Sequence, residues 1–408
     1  MEAMIPPRPT APAPGSLTPG PLAPGSLTPG PSAPGSLTPG PSAIGSLTPG
    51  PLAIGSLTPG PLAIGSLTLD APVVQAALAG YSDRAMRVMA RRHGAAYALG
   101  EVLLDRFVAV VGTNRRNLAR IAVADEEHPV GGQLMGSDPA EFAPAAIRLV
   151  EEGFDCIDIN FGCPVKKVLG RCRGGYLLGV PDTALEIVAR VREAVPPRVP
   201  VTLKMRRGID DSAESAERFW TIFDGAFARG AAAITVHGRT VKQKYVGPSS
   251  WEFLAAVKRH AGSRVVIGSG DLFSAEACVE MLRRTGVDGV SVARGAIGNP
   301  WIFAQARRLL AGGPPRAFPT IHEQAEVLAE HFALAEELHG ADLAGRRMRK
   351  FAIKYARLHP EHLPVRDAFV AVKTNADWQA VLDRFYADDG PGRDPAADVD
   401  ETADCDAA

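Results

Sequence analysis

From about residue 72, short runs of apolar residues alternate with longer stretches in which apolar positions recur at helical spacing. Such runs are typical of buried β-strands, and the longer stretches predict amphipathic helices that pack against them. The predicted strands are Val73–Ala76, Ala96–Leu99, Val130–Leu134, Cys156–Ile159, Val201–Leu203, Ala233–Val236, Val265–Ile267 and Gly289–Val292. The predicted helices that follow them are Asp83–Arg92, Arg106–Leu118, Ala140–Glu152, Thr183–Ala194, Ser212–Arg229, Ser250–Ala261, Ser274–Thr285 and Trp301–Leu310.

Eight strand-helix pairs over about 240 residues match the number of units and the size of a (β/α)₈ TIM barrel. An open, doubly wound α/β sheet is the competing architecture. No Gly-x-Gly-x-x-Gly follows any predicted strand, which weakens the dinucleotide-binding version of that alternative. We therefore predict an α/β protein with a TIM barrel at residues 70–316.

Helical spacing returns after Pro319, over Ile321–His339, Gly345–Leu358 and near Asp377–Tyr386. A small helical domain is predicted at residues 317–386. Its middle part is rich in bases: Arg346, Arg347, Arg349, Lys350, Lys354, Arg357, Arg366 and Lys373. A cluster of this kind is most often a solvated helix face, although an RNA-binding surface needs the same residues.

Low-complexity sequence flanks these two domains. Residues 15–69 repeat the ten-residue unit Gly-Ser-Leu-Thr-Pro-Gly-Pro-x-Ala-(Pro/Ile) five times and begin a sixth. Proline removes hydrogen-bond donors and glycine raises the entropic cost of ordering, so residues 1–69 are predicted to form a disordered arm. Residues 387–408 contain eight acidic residues and one arginine, which predicts an acidic disordered tail.

Composition indicates in which cellular compartment the protein is expected to function. Lys and Arg total 44 against 45 Asp and Glu, so the formal net charge is -1. Five cysteines with no Cys-x-x-Cys pair favour a reducing compartment over a disulfide framework or a zinc site. No apolar run approaches the roughly 18 residues of a membrane span. We expect a cytoplasmic, monomeric protein without membrane attachment and without a metal.

Residues able to do chemistry cluster just after the predicted strands. They are Leu78 and Ala79, Glu101, Gln133, Asn160 and Cys163, Lys204 and Arg206, His237 and Arg239, Ser269 and Gly270, and Ala293 and Arg294. In a barrel the carboxyl ends of all eight strands face one pocket, where ligands bind. For a single polar residue, a satisfied loop side chain is as good an interpretation as function, but eight together predict a site.

The segment Asn160-Phe-Gly-Cys163-Pro-Val-Lys-Lys places a thiol on a tight turn after the fourth strand. A free cysteine usually packs as a small apolar residue. Here the flanking glycine, proline and polar residues favour a thiol that points at a ligand. No base is evident next to Cys163, so a cysteine nucleophile is the weaker of the two chemical interpretations.

Two glycine-rich segments, Gly268-Ser-Gly-Asp271 and Ala293-Arg-Gly-Ala-Ile-Gly-Asn-Pro300, follow the seventh and eighth strands. Backbone N–H groups of such loops can approach an anion, and this is the usual phosphate position in barrels. With Lys204 and Gln133 added, a ligand the size of FMN becomes plausible. His237 fits a cofactor contact better than a metal ligand, because no second ligand recurs at suitable spacing.

The chain resembles the tRNA-dihydrouridine synthase family over roughly residues 73–386. The resemblance rests on the Asn160–Val168 segment, Lys204-Met-Arg206, His237-Gly-Arg239-Thr and Asp288-Gly-Val-Ser-Val-Ala-Arg294-Gly-Ala-Ile-Gly-Asn-Pro-Trp-Ile-Phe303. It implies an FMN-containing barrel and a helical tRNA-binding domain, with NADPH or NADH as hydride source and tRNA as partner.

The resemblance also implies roles for individual residues. Cys163 would be the proton donor in the reduction of the uracil C5=C6 bond. The implied FMN contacts are Ala77, Leu78, Ala79, Gln133, Lys204, His237, Ser269, Gly270, Asp271, Ala293 and Arg294. Asn160, Arg206, Arg239, Arg349 and Lys350 are expected to contact the substrate tRNA, the arginines and the lysine through phosphates.

Two positions depart from the family pattern: Ala77 replaces a proline after the first strand, and Ser269 replaces an asparagine after the seventh. The flavin contacts are least secure there. A barrel flavoenzyme that reduces a free small molecule, of the dihydroorotate or enoate type, is the alternative enzyme. An RNA-binding protein that has lost catalysis is the alternative from another class.

Overall fold

The apolar runs of the sequence form the strands of a parallel barrel. The strands are β1 (Leu62–Ile64), β2 (Leu67–Leu69), β3 (Val73–Gln75), β4 (Ala98–Leu104), β5 (Val130–Met135), β6 (Cys156–Phe161), β7 (Val201–Arg206), β8 (Ala233–His237), β9 (Val265–Ser269) and β10 (Gly289–Val292). Strands β3 to β10 pair in sequence order, and β10 pairs with β3, so the barrel is closed. The prediction of an eight-stranded (β/α) barrel is confirmed.

The computed structural model describes residues 60–110, 115–315 and 317–394. All of these residues belong to one unit, Gly55–Ala408. The predictions for residues 1–59 and 395–408 lie outside the described residues. No helix within the described ranges is both long enough and apolar enough to span a membrane.

Helices surround the barrel and follow it. They are α1 (Arg84–Arg92), α2 (Asp105–Ala109), α3 (Arg115–Leu118), α4 (Pro139–Glu151), α5 (Lys166–Leu169), α6 (Pro181–Ala194), α7 (Ala213–Ala228), α8 (Trp251–Ala261), α9 (Ala275–Thr285), α10 (Trp301–Leu310), α11 (Ile321–His339), α12 (Ala341–Tyr355), α13 (His362–Ala371) and α14 (Asn375–Phe385). Ser212, Ser250 and Ser274 each precede a helix and accept a hydrogen bond from the backbone N–H three residues on. Such a cap typically stabilises a helix by about 1 kcal/mol.

The helices differ from the sequence prediction in three places: one predicted helix, and the unpredicted helices α5 and α13. The stretch predicted as one helix, Arg106–Leu118, contains the two short helices α2 and α3, and residues 111–114 between them lie outside the described residues. Helix α13 has no counterpart in the prediction. Pro364 lies in its first turn, where proline is tolerated because the N–H that it lacks would have no partner there.

The end of the fifth repeat copy and the start of the sixth form a hairpin, so the prediction of disorder up to residue 69 is wrong for residues 60–69. Strands β1 and β2 pair antiparallel around Gly65 and Ser66. Leu62, Ile64 and Leu69 are buried with Ala233 and Ile267 of the barrel strands. The signal was present in the sequence, because Leu62 and Ile64 alternate with polar or small residues before a Gly-Ser turn.

The hairpin covers the end of the barrel at which the strands begin. The Ser66 Oγ donates a hydrogen bond of 2.6 Å to the carbonyl of Arg198. A Cβ on Gly65 would lie 3.1 Å from the Cβ of Pro200, just before β7. Any ligand must therefore enter from the opposite end.

We expect Ile64→Ala to lower the free energy of unfolding by about 2–3 kcal/mol, because it removes a buried side chain and leaves a cavity. Ile64 is 1% exposed. Urea denaturation of the purified protein measures this change. Thr68→Ala is the matched control on the exposed side of the same hairpin, with an expected change below about 0.5 kcal/mol. Equal effects of the two substitutions would show that the hairpin does not contribute to the core.

The acidic tail begins later than predicted, since residues 387–394 are held against the start of α11. The Asp389 Oδ1 accepts a hydrogen bond of 3.0 Å from His322 N, and the Gly390 carbonyl accepts one of 2.9 Å from Ile321 N. Arg393 N donates to the Leu358 carbonyl at 2.9 Å. The prediction of disorder from residue 387 is therefore wrong for these eight positions, whose backbone completes the helical domain.

The helical domain packs on the barrel through α1. Arg84 pairs with Glu337 at 2.6 Å, and His339 Nε2 lies 3.1 Å from Asp83 Oδ2. Arg92 pairs with Glu330. These contacts place α11 beside α1. Helix α12 lies near the carboxyl end of β3, where Lys350 contacts Tyr81.

Candidate active site at the mouth of the barrel

The chemically capable residues of the sequence meet at the open end of the barrel. Strand register places Asn160 beside Lys204, Arg206 beside His237, and His237 beside Ser269. Lys204 is only half-buried although it lies on a strand of the barrel, because the mouth of the barrel above it is open. The expected convergence of these strand ends is confirmed.

Cys163 sits on a turn that is fixed from two sides. The Asn160 Oδ1 accepts hydrogen bonds from the backbone N–H groups of Gly162 at 2.9 Å and Cys163 at 3.1 Å. On the other side, the Cys163 carbonyl accepts a hydrogen bond from Gly175 N at 3.0 Å. A Cβ on Gly174, where φ is +58°, would lie 2.9 Å from the Cys163 Cβ. The backbone that carries the thiol is therefore fixed at the edge of the mouth.

Burial raises the pKa of the Cys163 thiol, although the Val165 N–H and the cations Lys204 and Arg206 act in the opposite direction. The thiol is therefore protonated at neutral pH and suited to donate a proton. Burial and the nearby arginines and lysine hold the pKa of His237 well below 6.5. In the described residues no hydrogen bond joins the Cys163 thiol to a histidine, so the arrangement does not form a cysteine-histidine nucleophile.

Two cations lie beside this turn. Burial, together with nearby Arg206, lowers the pKa of Lys204 to about 8, while Asp158 and Cys163 oppose the shift. Arg206 donates to the carbonyl of Gly162 at 2.9 Å and to those of Thr240 and Lys244 at 2.8 and 2.6 Å. Burial lowers its pKa to about 10. Arg206 thus ties the Cys163 turn to the loop that follows β8.

The loops after β8, β9 and β10 interlock into one surface. Arg239 forms a bidentate ion pair with Asp271, with distances of 2.7 and 2.9 Å, and Arg294 lies 3.9 Å from the same carboxylate. A Cβ on Gly270, where φ is +119°, would lie 2.3 Å from the Ser249 Oγ. A Cβ on Gly295 would lie 2.1 Å from the Leu272 carbonyl oxygen. Only glycine fits at these two positions.

Two arginines that were predicted to hold phosphates are buried and bonded to groups of the protein itself. Arg239 is 0% exposed and its guanidinium is bonded to Asp271 and to the Gly247 carbonyl. Arg206 is 3% exposed and bonded to backbone carbonyls. Neither side chain reaches the surface where an RNA backbone would lie. Sequence spacing placed both at the barrel mouth but gave no information on these buried partners.

The remaining predicted residues lie around the rim. Ala77 and Leu78 are half-buried and Ala79 is exposed, and the backbone N–H of Ala76 joins this segment to the Val292 carbonyl, next to Ala293, at 2.8 Å. Gln133 is fully buried beneath the mouth. Their predicted contacts with a flavin stay predictions.

Helix α12 extends the rim on one side. The Lys350 Nζ lies 4.9 Å from the ring centre of Tyr81, which follows β3. Burial lowers the pKa of this lysine, and Asp83 and Glu101 oppose the shift. Arg349 is half-buried on the same helix, whereas Arg346 and Arg347 are exposed. The basic helix therefore lies next to the mouth.

Sequence reasoning missed several residues of the site. Tyr245 lies between two guanidinium groups, with its ring centre 5.4 Å from Arg206 and 4.8 Å from Arg294. Ser249 N donates to Asp271 at 2.7 Å. Asp158 and Thr202 lie under the mouth within apolar runs. Alternation along β6 and β7 could have identified the last two, since they share a face with Asn160 and Lys204.

Within the described ranges, no group of three or more His, Cys, Asp or Glu side chains could hold a metal ion.

Comparison with known proteins shows to which family the sequence is similar. The sequence model of the family described as Dihydrouridine synthase (Dus) matches residues 74–388, from β3 to the end of the helical domain. A protein of Mycobacterium tuberculosis named probable tRNA-dihydrouridine synthase is 34% identical over 324 residues, which cover 78% of this chain and 82% of the relative.

Two further relatives are also named as tRNA-dihydrouridine synthases. tRNA-dihydrouridine synthase B of Xanthomonas campestris is 35% identical over 323 residues, covering 79% of this chain and 94% of the relative. A probable tRNA-dihydrouridine synthase of Rickettsia conorii is 33% identical over 319 residues, covering 78% and 94%.

Proposed function

The chain belongs to the dihydrouridine synthase family, and on this premise we propose that it reduces the C5=C6 double bond of uridine in tRNA to form dihydrouridine. The proposed cofactor is FMN, and the proposed reductant is NADPH or NADH. The observation that carries the proposal is the position of Cys163, whose backbone is held at the barrel mouth near Lys204.

The loops after β9 and β10 are the proposed site of the flavin phosphate. Gly270 and Gly295 allow these loops to pack closely on neighbouring segments, and Arg294 lies at their edge. Backbone N–H groups of these loops and the guanidinium of Arg294 would hold the phosphate. The other proposed contacts are Ala77, Leu78, Ala79, Gln133, Lys204, His237, Ser269, Asp271 and Ala293.

Reduction of uracil needs a hydride at carbon 6 and a proton at carbon 5. When bound and reduced by NADPH or NADH, FMN would supply the hydride. Cys163 supplies the proton, because its raised pKa keeps the thiol protonated at neutral pH and a positioned acid of this kind accelerates proton transfer. The sulfur is left as a thiolate and takes a proton from solvent before the next turnover.

Lys204 stabilises negative charge at the mouth. Its ammonium lies near the Cys163 turn, since a Cβ on Gly162 would be 3.7 Å from the Lys204 Nζ. Its pKa of about 8 keeps most molecules charged at neutral pH. A fixed cation in a water-poor site favours the electron-rich, reduced form of a flavin.

We expect the affinity for FMN to fall as the pH rises above about 8. Binding of an anionic group raises the pKa of Lys204 above its value of about 8 in the free protein. The contribution of Lys204 is therefore present in full below pH 8 and is lost towards higher pH, by at most about tenfold per pH unit. Fluorescence titration with FMN between pH 7 and 9.5 measures this. Lys204→Met should bind more weakly at pH 7 and show no such decline, and an unchanged decline in the variant would assign it to another group.

The substrate would lie across the mouth and along α12. A uridine in a folded RNA must leave the stack to reach Cys163, and the bases of α12 lie beside the mouth where the flanking phosphates would pass. We propose that Asn160, Arg349 and Lys350 contact the substrate, together with the exposed Arg346 and Arg347.

We expect Arg347→Glu to weaken tRNA binding and to reduce the slope of the logarithm of the binding constant against the logarithm of salt concentration by about one, because one phosphate contact is lost. Reduction of the flavin by NAD(P)H should not change. Arg190→Glu on α6, an exposed arginine paired with Glu186, is the control with the same change of charge. Equal tRNA affinity of the Arg347 variant and the wild type would remove α12 from the interface.

Anaerobic reoxidation tests the proposed reaction. The holoenzyme is first reduced with NADPH, and unmodified tRNA is then added without oxygen. Recovery of the oxidised flavin spectrum with unmodified tRNA, and not with free uridine or an enoate, supports the proposal. Recovery with a free small molecule alone would indicate the alternative flavoenzyme.

We further propose that the enzyme acts as a monomer in the cytoplasm. The four cysteines within the described ranges, Cys156, Cys163, Cys172 and Cys278, are free thiols, which agrees with a reducing compartment.

A further inference from the structure

A continuous line of buried polar side chains runs from inside the barrel to the Cys163 turn. The Gln133 Nε2 donates to Asp158 Oδ2 at 2.6 Å, and the Asn160 Nδ2 donates to Gln133 Oε1 at 2.7 Å. The Asn160 Oδ1 in turn accepts from the N–H groups of Gly162 and Cys163. The line therefore connects the carboxylate of Asp158 with the backbone of the proposed proton donor.

The direction of every hydrogen bond in this line follows from its outer end. The N–H groups of Gly162 and Cys163 can only donate, so the Asn160 amide must present its oxygen to them and its nitrogen to Gln133. Gln133 must then accept from Asn160 with its oxygen, which turns its nitrogen towards residue 158. The group at position 158 must therefore accept.

Asp158 meets this requirement in either protonation state. It is 1% exposed and also bonded to Thr202, whose Oγ1 lies 2.5 Å from Asp158 Oδ1. A hydroxyl can donate to a carboxylate or accept from a carboxylic acid. In both cases Oδ2 is free to accept from Gln133. Burial raises the pKa of Asp158, while Thr202, Gln133 and Lys204 oppose the shift. The donor and acceptor roles along the line are the same in both protonation states of Asp158.

We propose that Asp158 is a positioning residue of the reaction: it sets the orientation of the Gln133 amide, which sets that of Asn160, which fixes the turn that carries the Cys163 thiol. This inference rests on the proposed function, because it assigns Asp158 a role in proton delivery to the uracil ring. Asp158 does not touch the substrate. Its effect passes through two amides that can each turn by half a rotation. A turned Gln133 would set its N–H groups against those of Asn160, and a turned Asn160 would set its N–H groups against those of the Cys163 turn.

A polar residue in a barrel core can also serve stability alone, and the two half-reactions separate these roles. Reduction of the flavin by NAD(P)H does not need the thiol of Cys163, whereas reduction of tRNA does. Loss of positioning should therefore slow the second half-reaction far more than the first, whereas loss of stability would lower the amount of folded holoenzyme and affect both equally.

Asp158→Leu removes the acceptor and is expected to slow reoxidation of the reduced enzyme by tRNA about a hundredfold, the size of effect that a misplaced reacting group produces. Reduction by NADPH should stay within about threefold of the wild type. Asp158→Asn should retain most of the tRNA rate, because its oxygen can accept from Gln133 while its N–H donates to Thr202. This rescue by a conservative variant is what a role in orientation predicts.

Thr202→Val is the matched control. It removes a hydrogen bond of similar length from the same carboxylate but lies off the line to Cys163, so its tRNA rate should stay within about threefold of the wild type. The proposal is overturned if Asp158→Leu reduces tRNA at the wild-type rate, if Asp158→Asn is as slow as Asp158→Leu, or if Thr202→Val loses as much as Asp158→Leu.

A reciprocal exchange keeps the proposal testable if Asp158→Leu does not fold. Gln133→Glu alone places two carboxyl groups at hydrogen-bond distance and should slow the tRNA half-reaction. The double variant Gln133→Glu/Asp158→Asn restores a donor opposite the new acceptor and leaves Asn160 in its original orientation. We expect the double variant to recover at least about tenfold over Gln133→Glu, and no recovery would contradict the proposal. A wild-type enzyme that forms no dihydrouridine would instead refute the proposed function.

Discussion

Cys163→Ala is expected to yield a protein that binds flavin and is reduced by NAD(P)H but no longer forms dihydrouridine. Loss of the proton donor should lower the rate of tRNA reduction by about 10²–10⁴-fold, the usual contribution of a positioned acid. The substitution removes one sulfur atom from a turn whose backbone is fixed by Asn160 and Gly175, so the fold and the cofactor site should persist. Stopped-flow measurement of the two half-reactions quantifies the effect.

Cys172→Ala is the control for this variant. Cys172 is an exposed thiol on the segment between Cys163 and Gly174, and its removal should leave both half-reactions unchanged. A Cys163→Ala variant that reduces tRNA at the wild-type rate would show that another group delivers the proton. A variant that also loses reduction by NAD(P)H would give Cys163 a role in cofactor binding instead.

Asp271→Ala should have the largest effect on stability. Its removal leaves the guanidinium of Arg239, which is 0% exposed, without its bidentate partner, and breaking a buried ion pair from one side costs about 3–5 kcal/mol. The Ser249 N–H loses its acceptor as well. We expect the free energy of unfolding of the apo-protein, measured in urea, to fall by this amount and FMN affinity to fall with it, since the loop that holds Gly270 is no longer fixed.

An exposed ion pair provides the comparison. Glu214→Ala breaks the pair with Arg218 on α7, where both side chains are exposed, and such pairs contribute less than about 1 kcal/mol. If Asp271→Ala destabilised the protein no more than Glu214→Ala, the Arg239 pair would not be the element that holds the three loops together.

The barrel could be predicted from sequence because parallel strands buried on both faces leave continuous apolar runs, and their helices carry serine caps and amphipathic spacing. The position of Cys163 and Lys204 at one mouth followed directly, since all strands of a barrel end on the same side. These features could be predicted because they depend only on local sequence within single strand-helix units.

The errors concern interactions between segments that lie far apart along the chain. The hairpin at residues 62–69 is ordered because its apolar side meets the start of β8 and β9, and its repeat composition concealed this. Arg239 finds Asp271 only when the loops after β8 and β9 come together. Asp158 was part of an apolar run, and its link to Cys163 depends on Gln133 from a neighbouring strand.

Mass-spectrometric mapping of dihydrouridine in tRNA tests the central claim most directly. Purified wild-type enzyme with FMN, NADPH and an unmodified tRNA transcript should add two hydrogen atoms to defined uridines, and the Cys163→Ala enzyme should leave the same uridines unchanged. A wild-type holoenzyme that is reduced by NADPH yet leaves every uridine unchanged in mass, across the full set of tRNAs from cells lacking the gene, would contradict the account.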